Sequence, residues 1–285
     1  MKESAFMKKL DSKFPFSMYR EKGEGRLINT RYNDSSMEIC EIIDGKVKVQ
    51  IGTDFTEASK GDFLYVPPKM MFRVESLDGA AALRGMVFDT SILEENMENF
   101  DAEVFYMFYV QAKNRMTVFS EGHPVHSTLR HYMQESYDEF STKDVCYKLP
   151  IRANIYLCMT ALLRFYCGSK DESDRMVYHN VLRLRPVVDY ISEHFTEKIY
   201  IEKLSDMINV SADYFTKMFK DSIGKTPIDY INGLRVNYAM SLLCSTDKPL
   251  ATIADEIGFC NANYFHKIFK QYMEQSPIAY RKSTK

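Results

Sequence analysis

Two heptapeptides in the second half of the chain carry polar side chains at a spacing suited to contacts with a polynucleotide. YFTKMFK spans residues 214–220, and YFHKIFK spans residues 264–270, which lie 50 positions further on. In each heptapeptide, apolar residues recur at i, i+3 and i+4, a pattern that predicts a helix with one buried stripe. The hydroxyl, imidazole and ammonium groups then fall on the opposite face, from which they can reach base edges and phosphates.

The similarity between the two copies extends beyond the heptapeptides, and it predicts a short helix, a tight turn and a second helix in each copy. The same offset of 50 superposes Pro227 on Pro277 and Tyr230 on Tyr280. Asn209 and Gly258 occupy turns that need a left-handed backbone, which Gly adopts most easily and Asn next. Two small residues, Ser205 and Ala254, stand where the two helices of each copy must approach closely. Ser211 and Asn261 are predicted N-caps of the second helices.

Residues 227–246 between the copies predict one helical strut. A helix of roughly 17 residues is roughly 25 Å long, and successive major grooves on one face of DNA lie about 34 Å apart. The strut therefore allows both second helices to face DNA. An all-helical bundle with solvated faces is the competing interpretation, and residues 186–285 are electrically neutral, with 12 Lys plus Arg against 12 Asp plus Glu. Neutrality reduces the gain from counterion release and indicates modest affinity for DNA from a single protomer.

These residues resemble the AraC/XylS family of transcription regulators over about residues 186–285. The resemblance lies in IADEIGF at 253–259, Tyr264-Phe265, Phe269-Lys270, Ser276-Pro277 and Tyr280-Arg281. It implies two helix-turn-helix units joined by one helix. The family pattern assigns base reading to Asp213, Thr216, Lys217, Asn263, His266 and Lys267. We expect phosphate contacts from Lys220, Lys270 and Arg281. Glu274 departs from the family, which has Gly there, so we expect this Glu to take a positive φ at a cost of about 1 kcal/mol.

The first half of the chain predicts short strands separated by turns. MEICEII, KVKVQI, FLYV, FRVESL and LRGMVF are apolar runs between 37 and 88, and Asp44-Gly45 is a strong hairpin signal. The spacing of Glu38, Gly45, Gly61 and Pro67 resembles that of a cupin barrel.

Cupin enzymes hold a metal ion through histidines that this chain lacks. No His lies within residues 31–34, Phe72 stands at the third ligand position, and Glu38 alone remains of the ligand set. One carboxylate cannot hold a transition metal, so we expect no metal, no other cofactor and no enzymatic activity. The residues that we expect to line a pocket for a small effector, with a sugar-like molecule as the prior, are Tyr32, Glu38, Tyr65, Phe72 and Arg73.

Three histidines lie at and after the start of the first of two predicted helices. His123, His126 and His131 are close in sequence, but they fit the polar flank of a helix that turns Val125, Leu129, Met133 and Phe140 inward, and we therefore prefer that interpretation to a metal site. PIRANIYLCMTALLRFY at 150–166 predicts a long apolar helix. We expect residues 123–167 to form a homodimer interface, and GSKDESDR at 168–175 to be a charged linker.

The bulk composition is that of a globular protein. The formal charge is −2, and the 6 cysteines show no C-x-x-C pair, which favours reduced thiols. MKESAFMKKLDSKF lacks the apolar core of a signal peptide, and the most apolar stretch is too short for a membrane span. We therefore expect a cytoplasmic protein without a membrane partner.

The combined prediction is a multidomain α+β chain. Residues 1–115 form a cupin-like β-barrel or jelly roll that senses an effector, 116–180 a helical dimerisation segment and linker, and 181–285 an all-α domain with two helix-turn-helix units. The predicted function is regulation of transcription through double-stranded DNA, with RNA polymerase as a further partner if the protein is an activator. The alternatives are a cupin-type enzyme, which the missing histidines disfavour, and a metal-free cupin protein whose helical repeat binds another protein.

Overall fold

The computed structural model describes residues 10, 14–32, 35–94, 118–167 and 172–284. The chain divides into two compact units, one built mainly from residues up to Gly168 and the other mainly from Ser169–Lys285.

The first unit is built on an antiparallel sheet that curls into a nearly closed barrel, so the predicted N-terminal β-barrel is confirmed. The strand order is β4-β3-β6-β2-β5-β7, and β1 also pairs with β6. The strands that the structure describes are β1 (Phe16–Tyr32), β2 (Ser36–Asp44), β3 (Lys46–Ile51), β4 (Asp54–Ser59), β5 (Phe63–Val66), β6 (Met71–Asp89) and β7 (Val118–Phe119).

Strand β6 corrects one detail of the predicted strands. FRVESL and LRGMVF are two halves of this single strand, because its first half pairs with β3, as in Val49 to Val74, and its second half pairs with β2, as in Ile39 to Met86. Strands β1 and β4 were not predicted. Their charged residues obscure the apolar alternation that would identify a strand from sequence.

The barrel sheet is covered on both faces. Cys40, Ile42 and Leu64 pack in the interior, whereas Ile39 and Phe63 point to the opposite face because side chains alternate along a strand. Two helices cover that outer face, as predicted. The helices of this unit are α1 (Ser91–Glu94), α2 (His126–Thr142) and α3 (Lys148–Cys167).

The two covering helices bury regular apolar stripes. Leu129 and Met133 of α2 are fully buried, as are Ile155, Cys158 and Leu162 of α3. Burial raises the pKa of the Cys158 thiol to about 12, so this cysteine is a packing residue and not a reactive thiolate.

The second unit is helical. Its helices are α4 (Glu172–His194), α5 (Ile201–Asp206), α6 (Ala212–Ile223), α7 (Pro227–Ser245), α8 (Leu250–Glu256), α9 (Ala262–Met273) and α10 (Pro277–Thr284). Helices α5 and α6 form one helix-turn-helix, α8 and α9 form the other, and α7 is the predicted strut. The predicted linker at 168–175 is partly wrong, since α4 already begins at Glu172.

The helices that the structure describes include none that combines the length and the apolarity needed to cross a membrane.

Candidate nucleic-acid interface

Helix α6 exposes a polar face and buries an apolar one. Ser211 caps it, its hydroxyl oxygen accepting from the Tyr214 N–H at 3.3 Å, and Gly224 ends it with a left-handed φ of 84°. Phe215 and Phe219 are fully buried, while Lys217 is exposed. The predicted cap and buried stripe are therefore confirmed.

The predicted outward residues of α6 are not equally available for new contacts. Asp213, Lys217 and Lys220 are exposed, whereas Thr216 is half-buried. The Thr216 hydroxyl donates to the Ala212 carbonyl at 2.9 Å, so it can still accept a hydrogen bond from a base but its proton is already engaged.

Helix α9 repeats this design with different side chains. The Asn261 Oδ1 accepts from the Tyr264 N–H at 2.8 Å, which confirms the second predicted cap. Phe265 and Phe269 are fully buried, and the predicted reading residues on the other face are all exposed: Asn263, His266 and Lys267. An amide, an imidazole and an ammonium group together offer both donors and acceptors to the edges of bases.

The backbone at the turns and helix ends has the predicted left-handed conformations. Asn209 has a φ of 53° and Gly258 a φ of 82°. Ser205 and Ala254 are buried, as the close approach of two helices requires. Glu274 also takes a positive φ, 56°, at the end of α9, where the first copy has Gly224. The departure from Gly is therefore accommodated by a strained Glu without a change in the turn.

The three predicted phosphate contacts fall into two groups. Lys220 and Lys270 are exposed in the last turns of α6 and α9. Arg281 is half-buried, and its guanidinium donates to the Lys248 carbonyl at 2.7 Å, which ties α10 to the loop before α8. This hydrogen bond gives Arg281 a structural contact inside the second unit.

Two tyrosines on the reading helices were missed by the sequence analysis. Tyr214 is 52% exposed and Tyr264 is 38% exposed, at equivalent positions in the first turns of α6 and α9. Both copies therefore expose an aromatic ring at the same position beside the polar face of the helix. The sequence feature that could have identified them is their repetition, since each is the first residue of its heptapeptide.

The residues predicted for an effector pocket do not converge on one site. Glu38 and Phe72 are buried inside the barrel, where the Tyr19 hydroxyl donates to the Glu38 carboxylate. Tyr65 packs against the helices on the opposite face of the sheet. Arg73 follows Phe72 in β6 and pairs with Glu75. The side chain of Tyr32 lies outside the described residues. Alternation along the strands separates these residues although they are close in sequence.

A polar pocket of about 850 Å³ lies instead between β2, β6 and the start of α2. A cross-strand ion pair between Glu41 and Arg84 lines it, and the Arg84 Nη1 donates to Gln134 of α2 at 2.8 Å. The other lining residues are Glu121, Gly122, His123, Pro124, His126, Ser127, Arg130 and His131. No ion pair of Arg130 occurs in the part of the chain that the structure describes.

The three histidines have separate roles at this pocket. His126 is buried and its Nε2 donates to the Gly61 carbonyl at 2.9 Å, so its predicted place on a polar flank is wrong: the ring donates to a carbonyl in the turn between β4 and β5. Burial, together with the neighbouring His126, holds the pKa of His123 below its ordinary value, and its Nδ1 accepts from the Val125 N–H. His131 is exposed. Within the described residues no group of His, Cys, Asp and Glu side chains has the arrangement of a metal site.

The chain has two helix-turn-helix units joined by one helix, and a β-barrel unit precedes them. This arrangement is that of a two-domain helix-turn-helix protein. Residues 204–283 match the family model described as a helix-turn-helix domain. These residues of the second unit form an AraC-type helix-turn-helix domain.

Relatives of known name match the same region. The chain is 39% identical over 93 residues to the HTH-type transcriptional regulator YisR of Bacillus subtilis, covering 33% of this chain and 32% of that protein. It is 34% identical over 92 residues to the MmsAB operon regulatory protein of Pseudomonas aeruginosa, covering 32% and 30%. The match thus spans about a third of the length of these relatives.

A solved structure has a similar fold over most of the chain. The crystal structure of ToxT from Vibrio cholerae with a bound unsaturated fatty acid covers 93% of this chain and 94% of its own, with a TM-score of 0.50 and 13% identity. This likeness shows a common two-unit fold of a barrel followed by helices.

Proposed function

We propose that this protein is a sequence-specific DNA-binding regulator of transcription. The observation that carries the proposal is the paired design of α6 and α9: each helix begins at a side-chain cap, packs on two phenylalanines and exposes a polar face. The faces differ in their side chains, so two half-sites of different sequence fit two helices on one scaffold. The named relatives of the matched region support the same function.

If both helices read bases, an alanine substitution on either helix should reduce DNA affinity through one half-site only. Lys217→Ala and Asn263→Ala should each weaken binding by about 1–3 kcal/mol and relax the sequence preference in one half only, the halves lying about 10 base pairs apart. Lys220→Ala and Lys270→Ala should weaken all sequences alike and reduce the salt slope by about 1. Footprinting and salt titration on duplexes selected from a random pool measure both effects.

The control for this experiment is Lys22→Ala, which removes an exposed lysine from the barrel and should leave affinity and preference unchanged. If Asn263→Ala and His266→Ala leave protection and sequence preference as in the wild type, the second copy does not read DNA. If the wild type selects no duplex, the protein-docking alternative replaces the proposal.

We propose that control by a small effector acts through the polar pocket between the barrel and α2. Glu41 and Arg84 compensate each other in an ion pair, and the lining also holds Glu121 and Arg130, of which Arg130 is the cation that we expect to bind a ligand. A guanidinium binds carboxylate and phosphate groups through two parallel hydrogen bonds, so the effector class that fits is a small polar anion. The fatty acid in the ToxT structure is a ligand of that protein.

Removal of Arg130 tests the effector proposal directly. Arg130→Ala should weaken the binding of anions by roughly tenfold or more, since one charge-assisted contact contributes about 1.5–3 kcal/mol. Titration calorimetry with citrate and with inorganic phosphate separates carboxylate from phosphate recognition. Arg164→Ala, which removes an exposed arginine of α3, is the matched control. Equal binding by wild type and Arg130→Ala contradicts the site.

We also propose that the protein acts as a homodimer through α3. Leu149, Ala153 and Leu157 lie at i, i+4 and i+8 and form an exposed apolar stripe along this helix, with Leu149 66% and Leu157 43% exposed. A second copy of the same stripe is a self-complementary partner, as a two-fold interface requires. A dimer also offsets the modest affinity expected of a neutral reading domain.

A further inference from the structure

Helix α4 and the turn after it touch the turns of both helix-turn-helix units. The Arg183 guanidinium of α4 donates to the Ile208 carbonyl in the turn of the first unit at 3.0 Å. At the other end, the backbone of Thr196, just after α4, lies against Gly258 in the turn of the second unit. One segment of chain therefore contacts both units that carry the reading helices.

The side chain of Arg235, on α7, joins this segment to the rest of the second unit. Its Nε donates to the Phe195 carbonyl at 2.6 Å and its Nη2 donates to the Glu197 carbonyl at 2.7 Å. Its guanidinium also lies 5.5 Å from the centre of the Phe259 ring, next to Gly258. A planar fork with several donors suits this double contact, which a single ammonium cannot reproduce.

The position of the turn at 195–197 is restricted by close packing. A Cβ on Gly258 would lie 2.3 Å from the Thr196 carbonyl oxygen, so the turn occupies space that only glycine leaves open. Phe195 also packs edge-on against Tyr238 of α7, with ring centres 5.8 Å apart. The turn is thus held by α7 on one side and by the second helix-turn-helix on the other.

The burial of Arg235 fits this role. The side chain is half-buried, and burial lowers the pKa of its guanidinium from the ordinary value. Helix α9 has a further connection to α7, because the Tyr272 hydroxyl donates to the Asp229 carbonyl at 3.0 Å. These contacts form a joint, defined here as the turn 195–197 with Arg235, Tyr238, Gly258 and Phe259.

We propose that Arg235 is a positioning residue that sets the separation and rotation of α6 relative to α9 by closing this joint. The proposal rests on the proposed function, since it concerns how two reading helices are matched to two half-sites. Arg235 acts through the helices and does not itself read DNA. A fixed joint makes the protein select one spacing of the half-sites, because one extra base pair rotates one half by about 35° relative to the other.

The first test measures the geometry of the two helices without DNA. Spin labels are introduced as non-canonical amino acids at Asp221 and Gln271, which are exposed and 50 positions apart in the two copies. In the full-length protein we expect one narrow distance distribution. Arg235→Met should broaden and shift it, and Arg235→Lys should give an intermediate width because it retains a single donor group. An unchanged distribution in Arg235→Met overturns the proposal.

The second test measures the preference for half-site spacing on selected duplexes. Wild-type affinity should fall by roughly tenfold or more when one base pair is inserted between the halves, as expected when one helix loses its base contacts. Arg235→Met should bind the original duplex less tightly but lose little more upon insertion. Arg185→Met, which removes an exposed ion pair with Asp189 of 3.8 Å, should behave like the wild type.

The outcomes distinguish the two proposals. If Arg235→Met weakens all spacings equally and keeps the wild-type insertion penalty, Arg235 only stabilises the fold and its positioning role is wrong. If the wild-type protein selects no duplex, the proposed function fails, and the spin-label distances still decide whether Arg235 fixes the two helices.

Discussion

Gly258→Ala is expected to destabilise the second unit by about 2–4 kcal/mol and to remove the contribution of the second half-site to DNA binding. Gly258 has a φ of 82°, and a residue with a Cβ at this left-handed φ lowers the free energy of unfolding by about 1 kcal/mol. Overpacking adds about 1–3 kcal/mol, because the new Cβ would lie 2.3 Å from the Thr196 carbonyl oxygen, a backbone atom. Denaturant unfolding followed by helical circular dichroism, with peptide-level hydrogen exchange to localise the loss, measures the effect.

Gly224→Ala is the matched control for this change. Gly224 has nearly the same φ, 84°, but nothing lies within 4 Å of an added Cβ. Gly224→Ala should therefore lower the free energy of unfolding by only about 1 kcal/mol and leave the footprints on both half-sites unchanged. Equal losses from the two variants would show that backbone strain alone acts at Gly258 and that the contact with Thr196 contributes nothing.

The double variant Leu149→Asp/Leu157→Asp is expected to convert the protein to a monomer and to weaken its binding to a two-site promoter by about 10²–10⁴-fold. The new carboxylates would have to be buried unpaired in the proposed interface, which is strongly unfavourable. Loss of the second protomer removes the gain from linked binding. Sedimentation velocity at micromolar concentration and DNA titration measure the two effects.

The folded protomer itself should tolerate this double change. Leu149 lies in the first turn of α3, where an acidic residue interacts favourably with the helix dipole. Leu77→Asp, at a barrel leucine that is 42% exposed, is the control and should leave assembly and affinity unchanged. A wild-type protein that sediments as a monomer contradicts the dimer proposal at once.

Much of the second unit was predictable because its signals are local. The caps at Ser211 and Asn261, the left-handed turns at Asn209 and Gly258, and the buried phenylalanines of α6 and α9 each depend on residues within a few positions along the chain. The repeat supplied the same signals twice. Local hydrogen bonding and helical periodicity therefore identified both units and their outward faces.

The barrel was predictable as a class but not in its pocket. Strand pairing brings together residues far apart in sequence, and alternation along the strands sends Phe72 and Tyr65 to opposite faces of the sheet. The pocket at Arg130 depends on how α2 packs across β2 and β6, and sequence spacing within one segment does not contain that information.

The sequence by itself determined which helices present polar side chains and where the backbone must turn. The tertiary structure alone decided which polar groups are already engaged. Arg281 donates to the Lys248 carbonyl, His126 to that of Gly61, and Arg235 to two carbonyls about 40 positions earlier. Backbone carbonyls need hydrogen-bond donors, and the side chain that donates to each of these carbonyls is set by folding at long range and not by the neighbouring residues.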